Sequence, residues 1–176
     1  MLINERNNRK ERVIAAANMM ATAARTAPKG KGIDIIEIAI ATDETIVEIS
    51  QKLQQLGEAT GMPFLFRDSE NILQGEALLL IGTRQQVQGL NCGYCGFSKC
   101  ELKPLQTPCA INSTDLGIAI GSACSVAMDQ RIDTRVMFSA GWAAQQMGLL
   151  EGCNQVYAIA LSCSSKNPFF DRKPNQ

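Results

Sequence analysis

Residues Ala23 to Glu44 read AARTAPKGKGIDIIEIAIATDE, and three structural signals follow one another within them. The opening residues finish an Ala- and Met-rich segment that begins near Glu11, in which Val13, Ala17, Met20 and Ala24 recur on one helical stripe. Pro28, Gly30 and Gly32 stop that helix. Ile33 to Ala41 (IDIIEIAIA) is dominated by β-branched residues and partly alternates, which predicts a strand buried on one or both faces. The strand ends at Thr42-Asp43. Asp43 can cap a second helix, whose Ile46, Ile49, Leu53 and Leu56 recur at helical spacing until Gly61-Met62-Pro63 closes it.

The rest of the chain repeats this alternation. A short helix is expected over Ser69 to Leu73 and a central strand over Ala77-Leu78-Leu79-Leu80-Ile81, ended by Gly82. Ser113 or Thr114 can cap a helix running to Gln130, with Leu116, Ala119, Ile120, Ala123 and Ala127 on its apolar side. Thr134 to Phe138 reads as a strand, Gly141 to Met147 as a short helix, and Gln155 to Leu161 (QVYAIAL) as the last strand. The elements together predict a single domain over residues 1–176 of α+β or α/β type, a helix-covered sheet of about four strands. A cysteine-rich loop at 91–110 is inserted in it. The tail from Ser164 to Gln176, with Pro168 and Pro174, is expected to lie along a surface or reach a partner.

Composition narrows the function. The 176 residues carry 17 Lys+Arg against 17 Asp+Glu, so no global basic field attracts nucleic acid or an anionic membrane surface. Histidine is absent, which removes Ser-His-Asp and Cys-His catalysis and every imidazole-ligated metal site. The N-terminus is polar where a secretory signal would be apolar, and no run approaches the roughly 18 apolar residues of a membrane span. These features predict a reducing, cytoplasmic setting. Seven cysteines, an odd number, are then better matched to metal or redox chemistry than to a disulfide framework.

Four of the seven fall between Asn91 and Ala110, where NCGYCGFSKCELKPLQTPCA places Cys92, Cys95, Cys100 and Cys109 in a C-x2-C-x4-C-x8-C array. Four thiolates are what an iron–sulfur cluster or a structural zinc requires, and a C-x2-C pair turns two sulfurs toward one centre. Gly93 and Gly96 permit the positive φ that lets backbone N–H groups point at sulfur. Pro108 sets an extended approach to the fourth cysteine. Iron–sulfur and zinc both remain open on spacing alone. Cys124, Cys153 and Cys163 read as buried small hydrophobes, and Trp142 as a core or interface anchor.

The C-G-x-C-G-x3-C run with its later P-C resembles four-cysteine [4Fe-4S] modules of redox membrane-complex subunits and corrinoid iron–sulfur proteins. It resembles more closely the uncharacterised prokaryotic proteins described as containing a ferredoxin domain, in which such an array precedes a D-L-G-I-A-I-G-S-A helix, here Asp115 to Ala123. That resemblance implies a [4Fe-4S] cluster on Cys92, Cys95, Cys100 and Cys109. A second resemblance concerns the scaffold. Ala23 to Glu44, Asp115-Leu116-Gly117-Ile118-Ala119 and Ile159-Ala160-Leu161-Ser162, with Arg172-Lys173-Pro174 beyond, are similar in order to segments of flavin-dependent nitroreductases.

The scaffold resemblance implies a nitroreductase-like homodimer whose tails, including Phe169-Phe170, embrace the partner. It also implies an FMN site at the dimer interface, its phosphate near Arg25, Lys29 and Arg172 and its ring near Ser139 and Gly141. Three readings follow: an iron–sulfur electron carrier or reductase component with an unknown redox partner, an FMN-dependent oxidoreductase, and a zinc-stapled interaction domain without catalysis.

Overall fold

The computed structural model describes residues 1–170. A four-stranded antiparallel sheet has the order β1-β2-β4-β3, with β1 at Ile36–Ala41, β2 at Ala77–Arg84, β3 at Asp133–Met137 and β4 at Cys153–Ser162. Five helices accompany it: α1 Arg9–Thr26, α2 Asp43–Thr60, α3 Pro63–Ile72, α4 Ala110–Asp129 and α5 Phe138–Gln146. The chain is thus α+β.

Side-chain alternation on the strands divides the core in two. Ile36, Ala77, Leu79, Ile81, Ile159 and Leu161 turn to α1 and α4. Ala41, Leu78, Leu80, Val156, Ala158 and Ala160 turn to α2, α3 and α5. Every residue of β2 from Ala77 to Ile81 is buried, which is why its sequence runs apolar without alternation. Alanines at 16, 17 and 24 on α1 and at 119, 123 and 127 on α4 share the first core, and their small size lets the two helices lie close. Ser122 Oγ ties them by donating to the Ala23 carbonyl at 3.0 Å.

Three boundaries differ from the sequence expectation. Pro63 starts a helix instead of ending one: Gly61 takes the left-handed C-cap of α2 at φ 70°, Met62 is extended, and Pro63 occupies the first turn of α3, where its missing N–H costs nothing. Helix α4 begins at Ala110, so Cys109 is its N-cap. Helix α5 follows β3 without a loop and runs back across β4, pressed so close that a Cβ on Gly141 would sit 2.2 Å from the Val156 carbonyl oxygen.

The start of the tail folds back on its own chain. Phe169 is 2% exposed in the second core, and Arg135 donates to its carbonyl at 2.9 Å. Phe170 lies outside, its ring 5.4 Å from the Arg135 guanidinium carbon. Beneath them Asp68, on α3, accepts from Ser139 Oγ at 2.6 Å and pairs with Arg67 at 2.8 Å and Arg135 at 3.4 Å. Among the described residues no helix is long and apolar enough to cross a membrane.

Candidate functional site

The cysteine loop leaves β2 at Arg84 and returns at Cys109. Glycines and prolines break up the sequence between, and only Cys100–Leu102 takes a helical turn. In its distal part the Gly96 N–H donates to the Gly93 carbonyl at 2.9 Å, closing a turn around Cys95. Gly93 at φ 74° and Gly96 at φ 88° occupy the left-handed region where a side chain would be strained. Asn91 clasps the third cysteine: the Cys100 N–H donates to Asn91 Oδ1 at 2.8 Å, and the Asn91 N–H points at Cys100 Sγ at 3.4 Å. Cys92 is exposed, while Cys95, Cys100 and Cys109 are half-buried.

Cys109 sits differently from the other three. Burial alone would raise its thiol pKa, but the backbone N–H groups of Asn112, Gln88 and Ile111 and the charge of Lys103 outweigh burial and hold it below the ordinary value of 9.0. Two of those donors belong to the first turn of α4, where unpaired amides and the helix dipole favour an anion.

The loop's neck, below Cys109, is polar and buried. Gln88 Nε2 donates to Asn112 Oδ1 at 2.8 Å, Asn112 Nδ2 donates to the Gln86 carbonyl, and Lys31 Nζ donates to the Gln88 carbonyl at 3.0 Å. One helical turn on, Asp115 accepts from the Gly30 N–H at 2.9 Å. Ser113 Oγ donates to Gln155 Oε1 at 2.7 Å, joining the neck to β4.

The four thiols therefore share one loop, yet among the described residues no three Cys, Asp or Glu side chains converge tightly enough to hold a metal ion. The donor set itself fits a soft metal centre: four sulfurs on one loop and no competing imidazole.

The residues expected around a flavin have other partners. Arg25 Nη1 donates to Asp34 Oδ2 at 2.8 Å and to the Ile36 carbonyl at 2.6 Å. Lys29 Nζ turns back on the end of α1 and donates to the carbonyls of Ala24 at 3.1 Å, Arg25 at 2.6 Å and Ala27 at 2.7 Å, a C-terminal cap made by a side chain. Ser139 is buried on Asp68, and Gly141 is closed by β4. Arg172 lies outside the described residues. Cys124 is raised above the ordinary thiol pKa by burial, and Cys153 is pushed up to about 11 by burial and by Glu37.

Gln88 and Asn112 were not legible as site residues, although one signal existed. Asn112 and Asp115 fall on the same helical stripe as Leu116, Ala119 and Ala123, so they are polar side chains on a face that must be buried.

Residues 106–172 match the family of uncharacterized proteins containing a ferredoxin domain, a stretch that includes Cys109 and α4. An uncharacterized protein of Archaeoglobus fulgidus is 39% identical over 186 residues, covering 100% of both chains. The chain belongs to this ferredoxin-domain family.

Solved structures with the same fold are nitroreductase-like flavoproteins. Nitroreductase CinD from Lactococcus lactis in complex with nicotinic acid aligns with TM-score 0.61 at 13% identity, over 99% of this chain and 86% of that one. A nitroreductase with bound FMN from Bacteroides fragilis gives TM-score 0.60 at 11% identity, over 92% and 83%. A BluB-like flavoprotein from Clostridium difficile gives 0.56 at 17% identity, over 92% and 84%. The family member thus has a nitroreductase-type fold carrying a cysteine loop.

Proposed function

We propose that this protein is an electron-transfer protein, or the electron-carrying part of a reductase, whose redox centre is a [4Fe-4S] cluster on Cys92, Cys95, Cys100 and Cys109. The observation that carries the reading is the loop: four thiols on one irregular segment, with Cys109 fixed at the N-cap position of α4. Family membership supports it. When bound, the cluster supplies one-electron chemistry. The chain's part is to provide the four sulfurs, to bring the distal turn of Cys92, Cys95 and Cys100 onto the fixed neck, and to direct N–H dipoles at sulfur.

The FMN reading is supported by likeness of fold to an FMN-bound nitroreductase, while the residues expected around the flavin pair internally in this chain. Arg25 and Lys29 are committed to internal acceptors, Ser139 to Asp68, and Gly141 to β4. No step is assigned to a flavin. We also propose a homodimer. Val136 and Phe138 are exposed large hydrophobics at the β3 end of the sheet, and Phe138 stacks on Trp142 at 5.9 Å between centroids; a second copy would cover them. A monomer mass by light scattering at micromolar concentration contradicts the dimer.

Anaerobic purification with iron, sulfide, zinc and flavin analysis tests the main reading. A brown protein whose iron falls sharply on Ser substitution of any of the four cysteines is the expected result. Colourless protein holding zinc points instead to a structural staple, and full iron in all four variants removes the assignment.

A further inference from the structure

We infer that Asn91 is a positioning residue for the cysteine centre, a clasp that holds Cys100 beside the start of the Cys92 to Cys95 segment so that the ligands can assemble. The inference rests on the four-cysteine centre proposed above and adds to it a residue outside the ligand set. Two hydrogen bonds make the clasp, and they run in opposite directions. The Cys100 N–H donates to Asn91 Oδ1 at 2.8 Å, and the Asn91 N–H donates to Cys100 Sγ at 3.4 Å. The partners are nine residues apart in sequence. Because Asn91 directly precedes Cys92, the two bonds close the loop between the first and third ligands.

Each bond answers a local need. Cys100 opens the helical turn Cys100–Leu102, in which the Lys103 N–H donates back to the Cys100 carbonyl at 3.3 Å. The N–H at the start of such a turn has no partner within it, and the Asn91 side chain supplies one. The same residue must turn its own N–H toward the sulfur, and Asn91 does so at φ 49°, in the left-handed region. Glycine enters that region freely but brings no acceptor, and alanine is strained there and brings none either. Asparagine combines a short acceptor with tolerance of that φ. Asn91 is exposed, so core packing does not call for this conformation, and its contacts with Cys100 are what it achieves.

A four-thiolate centre forms only when ligands spread along an irregular segment are brought together, and the chain entropy lost in closing the loop opposes it. The clasp closes the span between the first and third ligands through the chain's own hydrogen bonds. Its second bond also orients the Cys100 sulfur, as hydrogen bonds to ligand atoms do in metal sites generally. Cys95 is set by the turn between Gly93 and Gly96, and Cys109 by the start of α4. Asn91 supplies the corresponding constraint on Cys100.

The test compares the full-length native protein with Asn91→Asp, Asn91→Gly and Asn91→Ala. The first keeps an acceptor, the second only the freedom of φ, and the third neither. Anaerobic titration of the metal-free chain with cobalt(II), competed by a chelator, reads thiolate-to-cobalt absorption and hence assembly of the sulfur ligands. Affinity is expected to weaken roughly 3- to 10-fold in Asn91→Gly, the effect of one lost hydrogen bond, and further in Asn91→Ala, while Asn91→Asp stays near native. Thermal unfolding of the core should be the same in all four. Amide exchange at Cys100 is the readout that needs no metal: it should quicken in Asn91→Gly and Asn91→Ala and stay slow in Asn91→Asp. Native cobalt affinity in Asn91→Gly, or unchanged Cys100 exchange in both Asn91→Gly and Asn91→Ala, overturns the inference. Reconstitution of native protein with iron and sulfide tests the cluster reading separately. Cobalt held by thiolates without formation of a brown cluster refutes that reading, while the cobalt and exchange results still decide the clasp; native protein with no thiolate-to-cobalt band refutes both.

Discussion

Gly141→Ala separates packing from cofactor contact at one atom. A Cβ built on Gly141 lies 2.2 Å from the Val156 carbonyl oxygen and 2.4 Å from the Tyr157 Cα, whereas ordinary contact begins at 3.4 Å. Helix α5 must back away from β4 by about 1.2 Å, and the obstacle is backbone in a central strand, which cannot swing aside as a side chain could. The same displacement loosens Ala140, Ala143 and Ala144, all fully buried on the inner face of α5 itself. Overpacking typically costs about 1–3 kcal/mol, and more where the obstacle is backbone as it is here, against a helix-propensity gain of about 1 kcal/mol for Ala over Gly. The net loss lowers the melting temperature by roughly 3–10 °C for a chain of this length. Gly117→Ala on α4 is the control, because a Cβ there meets nothing within 4 Å, and propensity alone gives a gain of up to about 1 kcal/mol. Urea and thermal unfolding of both variants read the two signs. A Gly141→Ala protein as stable as the native one would refute the close approach of α5 to β4.

Other consequences follow from charge and burial. Asp68→Ala removes the carboxylate shared by Ser139, Arg67 and Arg135, leaving Arg135 without its buried partner; a loss of about 3 kcal/mol is expected by urea unfolding, with Asp68→Asn losing less because it keeps an acceptor for Ser139. Cys153 has a thiol raised to about 11 from 9.0, so the folded chain stays protonated where the unfolded chain ionises. Stability is then full below about pH 9 and declines as pH rises toward 11, and Cys153→Ala flattens that alkaline limb in urea titrations; an identical limb in both proteins contradicts the shift. Alkylation at mildly alkaline pH, mapped by mass spectrometry on iron-free protein, should label Cys109 ahead of Cys153, since the first thiol is lowered and the second raised. Equal labelling would remove the proposed asymmetry.

Periodicity and composition were sufficient for the layered fold. Ile33 to Ala41, Ala77 to Ile81 and QVYAIAL announce strands because β-branched and apolar runs have few alternatives in a chain whose helices are marked by Ala, Leu and cap residues. The cysteine array was equally plain, since four thiols in one glycine-bearing segment are a local signal. Pro63 misled because a proline reads as a stop unless one knows that Gly61 and Met62 have already turned the chain, which places it at a helix start.

What only the tertiary structure decided is where single side chains spend their hydrogen bonds. Arg25 and Lys29 look free in a basic, glycine-rich turn, yet Asp34 and the end of α1 claim them; Ser139 and Gly141 look open, yet α3 and β4 close on them. Phe169 looks like an arm for a partner and fills its own core. Gln88 and Asn112, 24 residues apart, become one unit only when β2 and α4 bring the two ends of the loop together. Hydrophobic pattern is written along the chain because burial is a property of a face repeated every few residues. Polar pairing depends on a few atoms meeting within about 3 Å across that distance, and only the packed fold determines which ones meet.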